Sequence, residues 1–393
     1  MRKNLLSVII LSLLFFSAIF FVNVDKSKPL CQTVYENSEV ETVSKPPVVN
    51  ATASIVMDMK SERVLYEKNA YTIKAMASTT KIMTAILALE KGNIEDDVKV
   101  SKRAAMVGGS SVNLLEGEVF KLKDLLYGLM LNSGNDAAIA IAEHIGGTVE
   151  GFVDMMNQKA QDLDLADTSF RSPHGLDADG HYTTAYDLAR LTAYSLKNPM
   201  FSKIVSTKSI ALPRLGLYNT NDMLWYYPGA DGVKTGFTGK AGRCLVTSVT
   251  RDDWRIISVV LGCPTNSIRA QSSSAILNYA FDNYRPYSLL DSNELFTKIP
   301  VKKGIIGEVR IKPIEDIDIP LTNQEVEEIQ RVVTLPDMLP APVVDNIEVG
   351  TVKYILNDKV IAQSPLKTVE SVRRKNFGDY FDDIVKSWGR LVN

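Results

Sequence analysis

Strand-like alternation brackets a long helical stretch in this chain, and that order restricts the fold more than any other feature of the sequence. Residues 53 to 68 alternate around Met59-Lys60-Ser61-Glu62 and predict an opening β-hairpin. Gly232 to Thr235, Cys244 to Val249 and Trp254 to Leu261 predict further strands, the last two joined through Arg251-Asp252-Asp253. Between these ends the spacing is helical. A helix is expected from about Ser78 with Ile82, Ala85, Ile86 and Leu89 on one face and Gly92 as its C-cap. Others are expected over Leu122 to Leu131, Gly134 to Ile145 and Thr184 to Leu196, and one from Ser267 to Tyr284 closes the unit. Strands at both ends of a helical block predict an α+β fold, an antiparallel sheet with segregated helices, over residues 51–285.

The flanking segments read differently. Met1-Arg2-Lys3 and the apolar run from Leu5 to Val22 have the layout of a secretory signal or signal anchor over residues 1–24, which implies export. A polar tether is expected over 25–50. Beyond the α+β unit, short alternating stretches such as Gly307 to Lys312, Ile347 to Leu356 and Val360 to Ala362, with a turn at Asn357-Asp358, predict a small all-β domain over 286–367. In residues 368–393, Phe377, Phe381, Ile384, Val385, Trp388, Leu391 and Val392 recur at helical spacing. Arg373, Arg374, Lys375, Lys386 and Arg390 surround that stripe, the pattern of an amphipathic helix lying at a membrane surface.

Charge and cysteine content exclude several function classes. Forty-four Lys+Arg against 46 Asp+Glu give a formal charge of -2, so no nucleic-acid partner is expected. The three cysteines, Cys31, Cys244 and Cys263, do not make a disulfide scaffold; the last two flank a predicted hairpin, where a pair of reduced core thiols is the commoner arrangement. His144, His174 and His181 lack ligand-like spacing with the cysteines, so neither a metal nor another cofactor is expected. His144 on an apolar helix reads as structural, and His174 as ordering a loop.

Three short motifs carry the chemistry. In Ser78-Thr79-Thr80-Lys81 the i, i+3 spacing at a helix start brings hydroxyl and amine within reach of each other. Lys81 can act as a base only when neutral, which needs burial or a neighbouring cation, and Lys234 offers one. In Ser133-Gly134-Asn135 the hydroxyl can relay protons and the amide can grip a peptide backbone. Lys234-Thr235-Gly236 is expected on an edge strand, where a peptide adds as a further strand, Lys234 and Thr235 bind its terminal carboxylate, and Gly236 removes bulk beside it. The N–H groups of Ser78 and Phe237 are then candidates for an oxyanion hole.

Together the three motifs resemble the penicillin-binding protein and serine β-lactamase superfamily. Their surroundings, Ser133-Gly134-Asn135-Asp136-Ala137, Pro173-His174-Gly175-Leu176-Asp177 and Tyr182-Thr183-Thr184-Ala185-Tyr186-Asp187, are similar to the low-molecular-weight penicillin-binding proteins that act as D-alanyl-D-alanine carboxypeptidases. The resemblance is close over residues 51–284 and looser beyond. It implies an acyl-enzyme on Ser78, Lys81 as base, Ser133 and Asn135 completing the site, and Lys234 and Thr235 on the substrate's terminal carboxylate, with Arg269 facing the same group. It also implies peptidoglycan stem peptides as substrates, β-lactams as covalent inhibitors, and a location at the outer surface of the cytoplasmic membrane. Phe237 departs from the family, where a histidine is common, which leaves only the backbone N–H in role. Two rival readings share the motifs: a β-lactamase, and a penicillin-sensing or non-hydrolytic wall-binding protein.

Overall fold

The computed structural model describes residues 22–24 and 44–391, which fall into two compact units, 44–286 with 319–323, and 22–24, 287–318 and 324–391. The apolar run up to residue 21, residues 25–43 of the expected tether with Cys31, and Val392 lie outside the described residues. Residues 44–50, expected as the rest of the tether, instead pack on the first unit, where Val49 is buried and the Pro47 and Val49 carbonyls accept from Tyr66 and Lys68. Val22–Val24, expected at the end of that run, form a short strand antiparallel to Gln330–Thr334, as suits a β-branched segment.

The first unit is built on a five-stranded sheet of β1 (Ala53–Asp58), β2 (Val64–Lys68), β3 (Ala230–Thr238), β4 (Gly242–Arg251) and β5 (Trp254–Cys263), in the order β2-β1-β5-β4-β3. All its pairings are antiparallel. Both predicted turns form: Glu62 takes a left-handed conformation in the first, and Asp252 and Asp253 do so in the β4–β5 hairpin. The central strands are buried on both faces, and their alternation divides two cores. Ile55, Met57, Val246, Ile257 and Val259 face a helical layer, whereas Val56, Leu245, Val249, Ile256 and Val260 pack with Ile276, Leu277 and Ala280 of a single helix. Helices thus cover both faces of the sheet.

The longer helices are α1 (Lys81–Lys91), α2 (Leu122–Leu131), α3 (Asn135–Gly146), α4 (Val149–Asp162), α5 (Ala185–Leu196) and α6 (Asn266–Asn283), α6 lying alone against its face. Helix α1 departs from its expected one-sided pattern: Met83, Thr84, Leu87 and Ala88 are buried too, because it runs through the middle of the helical layer. Gly92 caps it in an extended rather than left-handed conformation. Its missing side chain serves packing, since a Cβ there would lie 2.5 Å from Ile145 Cδ1.

In the second unit, Glu348–Leu356 and Lys359–Thr368 form a hairpin through Asn357 and Asp358, both with positive φ, and Thr297–Lys302 pairs with Glu308–Pro313. The C-terminal helix Phe377–Leu391 leaves Phe377, Phe381, Ile384, Val385 and Trp388 exposed. No helix among the described residues is long and apolar enough to cross a membrane.

Candidate active site

Ser78 sits in a 3-10 turn, Ala77–Thr80, that leads into α1 rather than in the helix itself. The turn is held from three sides. Ala77 has φ +49°, the left-handed region that costs a side-chain-bearing residue about 1 kcal/mol. Its carbonyl accepts from Thr80 Oγ1 at 2.8 Å, and Thr80 Oγ1 lies 2.9 Å from His181 Nε2. His181 Nδ1 accepts from the Arg171 N–H at 2.9 Å, which places the imidazole proton on Nε2 facing Thr80. A Cβ on Gly175 would fall 2.0 Å from the Ala77 oxygen, and one on Gly236 only 3.0 Å from Ser78 N. Gly236 thus also keeps bulk away from the Ser78 backbone.

Lys81 is fully buried, and its Nζ lies 3.1 Å from Ser78 Oγ, 2.8 Å from Asn135 Oδ1 and 2.8 Å from the His174 carbonyl. Burial, and after it the charge of Lys234, hold the amine well below the ordinary lysine range. Both causes expected from the sequence act on Lys81, and burial is the larger. His174 orders its loop as expected, its Nδ1 accepting from the Leu176 N–H while its carbonyl anchors Lys81. Burial first, then Lys81, lowers this imidazole to about 4.

The middle motif opens α3. Ser133 is buried with φ +63°, two residues before Asn135. The Asn135 amide, expected to grip a peptide, is engaged by the protein: Oδ1 accepts from Lys81 and Nδ2 donates to Gly108 O at 2.7 Å, leaving one N–H. Asp136 follows Asn135 in the motif. Its buried carboxylate accepts from Ser111 Oγ and from the N–H groups of Val112 and Leu114, so it fastens the loop whose Gly108 holds Asn135.

Lys234 and Thr235 lie on β3, the edge of the sheet, as the spacing predicts. Lys234 is buried and donates to the Thr235 carbonyl at 3.0 Å. Burial and then Arg269 pull it down to about 7. Thr235 Oγ1 is 2.7 Å from Thr220 Oγ1. Arg269, from α6, is also buried; its Nε has no hydrogen-bond partner, and the carboxylate of Asp222 is 4.0 Å from its Nη2. Phe237 is exposed, with the Arg243 guanidinium 3.7 Å above its ring. Among the described residues no cluster of His, Cys, Asp and Glu could hold a metal. Cys244 and Cys263 are free, buried thiols, raised by burial to about 12 and about 11 and so chemically quiet. His144 pairs with Asp96 at 3.1 Å on the surface.

His181 and Thr80 are the supporting residues that spacing alone did not expose. Burial lowers His181 from 6.5 to about 4, so the folded protein refuses a proton that the unfolded chain accepts near pH 6.5. Its contribution is present above that pH and is lost as the pH falls, by up to about 3 kcal/mol at pH 4. His181→Gln, which keeps an acceptor and a donor without titrating, is expected to flatten this acid limb in denaturation midpoints measured against pH. An unchanged pH dependence would remove His181 from that role.

The geometry can be set beside known proteins. Residues 39–265 match the family model described as D-alanyl-D-alanine carboxypeptidase, and residues 284–374 match that of the penicillin-binding protein 5 C-terminal domain. The chain is 36% identical over 353 residues to the D-alanyl-D-alanine carboxypeptidase DacF of Bacillus subtilis, covering 87% of this chain and 90% of that one. Among solved structures it resembles penicillin binding protein 5 from Haemophilus influenzae, with a TM-score of 0.77 and 32% identity over 84% of this chain and 100% of that one. It also resembles the Streptomyces K15 DD-transpeptidase, with a TM-score of 0.59 and 33% identity over 61% of this chain and 100% of that one.

Proposed function

The chain belongs to the D-alanyl-D-alanine carboxypeptidase family of serine hydrolases, and we propose that Ser78 is its nucleophile and Lys81 the base that activates it. One observation carries this reading, the set of contacts around Lys81 Nζ. Asn135 Oδ1 and the His174 carbonyl can only accept, and each is 2.8 Å away. A neutral amine has two hydrogens and one lone pair. With both hydrogens spent on those oxygens, the lone pair is left for the Ser78 hydroxyl 3.1 Å away.

In the reaction, Ser78 Oγ gives its proton to Lys81 and attacks the carbonyl carbon of the penultimate D-alanine. The oxygen that becomes negative is received by the N–H groups of Ser78 and Phe237, where losing one donor costs about 3 kcal/mol in comparable enzymes. The proton then passes to the amine of the departing D-alanine, with Ser133, buried two residues before Asn135, as relay. Water opens the resulting ester by the same route, with Lys81 again taking a proton, and Ser78 is restored. A β-lactam enters at the first step and leaves an ester on Ser78.

Lys234, Thr235 and Arg269 receive the substrate's terminal carboxylate. Two cations buried near each other are costly without an anion, and Arg269 still has an unpartnered Nε. A carboxylate arriving there adds to the distant counter-charge of Asp222 and supplies an acceptor. The peptide extends the sheet along β3, whose outer edge is free of strand partners among the described residues. The β-lactamase alternative lacks support: Asp136, the carboxylate next to Asn135, is spent on the Ser111–Leu114 loop.

Peptidoglycan stem peptides lie outside the cytoplasm, which fits the export signature of Leu5 to Val22. The exposed stripe from Phe377 to Trp388 fits attachment to the outer face of the membrane. The direct test is release of D-alanine by the purified protein from an acyl-lysyl-D-alanyl-D-alanine peptide and from its C-terminal amide. Lys234→Ala is expected to lower kcat/KM on the free carboxylate far more than on the amide. Equal losses on both would remove Lys234 from the carboxylate site, and no release by the unaltered protein would overturn the reading as a whole.

A further inference from the structure

Hairpin loops are ordinarily polar, because they face water. The loop joining Thr297–Lys302 to Glu308–Pro313 reads Lys303-Gly304-Ile305-Ile306-Gly307 and carries two adjacent isoleucines that are 43% and 49% exposed. Its shape is enforced. Lys303 adopts a left-handed conformation, the Val301 N–H closes the turn onto Gly307 O at 2.8 Å, and a Cβ on Gly304 would lie 2.8 Å from Val372 Cγ1.

The loop is also fastened to the segment that leads into the C-terminal helix. The Ile305 N–H donates to Arg373 O at 3.0 Å, and the Lys375 N–H donates to Lys303 O at 2.9 Å, two residues before the helix begins at Phe377. The isoleucine tip and the root of the amphipathic helix therefore move as one piece.

Charge at this place is one-sided. Arg373 is paired with Asp379, and Lys375 with Asp383. Lys302, Lys303 and Arg374 are exposed and have no carboxylate partner among the described residues. Asp382 is the exposed helix carboxylate left against them.

We propose that the Lys302–Ile306 hairpin tip is a second lipid-contacting element, inserting Ile305 and Ile306 into an anionic bilayer while Lys302, Lys303 and Arg374 meet its phosphates. This rests on reading the C-terminal helix as membrane-seated. Apolar residues ringed by unpaired cations are what an anionic lipid surface recognises, and an aqueous partner protein would have no need of the adjoining Phe377 to Trp388 stripe. Two elements on one rigid base also fix the orientation of the domain above the bilayer, which a single helix joined by a free linker does not.

The test uses the full chain with Cys31→Ser, so that only an introduced cysteine is reactive; Cys244 and Cys263 are buried. An environment-sensitive fluorophore is placed at Ile306→Cys, at Trp388→Cys, or at Asp358→Cys in the turn at the far end of Lys359–Thr368. Each protein is bound to vesicles of equal phosphatidylglycerol and phosphatidylcholine, with and without brominated acyl chains. Labels at 306 and 388 are expected to shift to the blue and lose fluorescence to brominated lipid, while the label at 358 keeps its aqueous spectrum. Lys302→Glu with Lys303→Glu is expected to reduce quenching at 306. Quenching at 388 with an aqueous label at 306 overturns this inference alone; aqueous labels at both overturn the helix reading with it. Quenching at 306 that is equal in pure phosphatidylcholine overturns the anionic assignment.

Discussion

Ser78→Ala is expected to abolish covalent penicillin labelling and to lower the rate of D-alanine release by at least about 10⁴-fold, the usual loss when the nucleophile of such a unit is removed. The fold has little to lose. The Ser78 hydroxyl meets Lys81 Nζ, which keeps its two shorter contacts to Asn135 and His174. The thermal midpoint should therefore stay within a few degrees of the unaltered protein while acylation disappears. Labelling at an undiminished rate would take Ser78 out of the mechanism, and a collapse of the fold would leave the rate uninformative, so both are measured on the same preparation.

Lys81→Met is expected to be nearly as severe in acylation, about 10³-fold or more, because among the described residues Lys81 Nζ is the basic group within hydrogen-bond reach of Ser78 Oγ. Methionine has a similar length and fills the buried channel. It leaves Asn135 Oδ1 and the His174 carbonyl without their donor, at about 1–3 kcal/mol each, but it also relieves the burial of an amine beside Lys234. The two effects on stability oppose each other, so the loss is expected to be smaller than the sum of the two acceptor costs. In the unaltered protein the acylation rate should rise with pH as Lys81 gives up its proton, with a midpoint below the ordinary lysine range, since burial and Lys234 both disfavour the charged form. The residual rate of Lys81→Met should lack that rise. A variant that retains both the rate and its pH dependence would assign the base elsewhere.

What the sequence disclosed follows from which forces are local. Alternation over Cys244 to Val249 and Trp254 to Leu261 is a local record of a sheet with two buried faces, so strands and their turn at Asp252-Asp253 were legible. The fold family was legible because three motifs recur together, although each alone is weak. The exact role of each glycine was not. Gly92 and Gly236 answer to atoms far away in the chain, Ile145 in one case and the Ser78 backbone in the other, and no spacing rule records that distance.

Roles built from several segments were the least visible. Asn135 offers an amide in any reading of the motif, but its capture by Lys81 and Gly108 needs three separate segments in place. The line from Arg171 through His181 and Thr80 to the Ala77 carbonyl joins a loop to the Ser78 turn, with His181 and Thr80 101 residues apart in the chain. Helix α4, which the spacing did not single out, begins with Thr148 accepting from the Gly151 N–H and packs through Phe152 against Gly146. That close approach again depends on tertiary contact rather than periodicity.

The central claim, that chemistry passes through an ester on Ser78, is tested most directly by trapping that ester. The purified full-length protein is treated with benzylpenicillin, quenched in acid, digested, and the modified peptide located by tandem mass spectrometry. The expected result is one penicilloyl group per chain, carried by the peptide containing Ser78-Thr79-Thr80-Lys81 and absent from Ser78→Ala. A penicilloyl group on Ser133, or on any residue other than Ser78, would contradict the account.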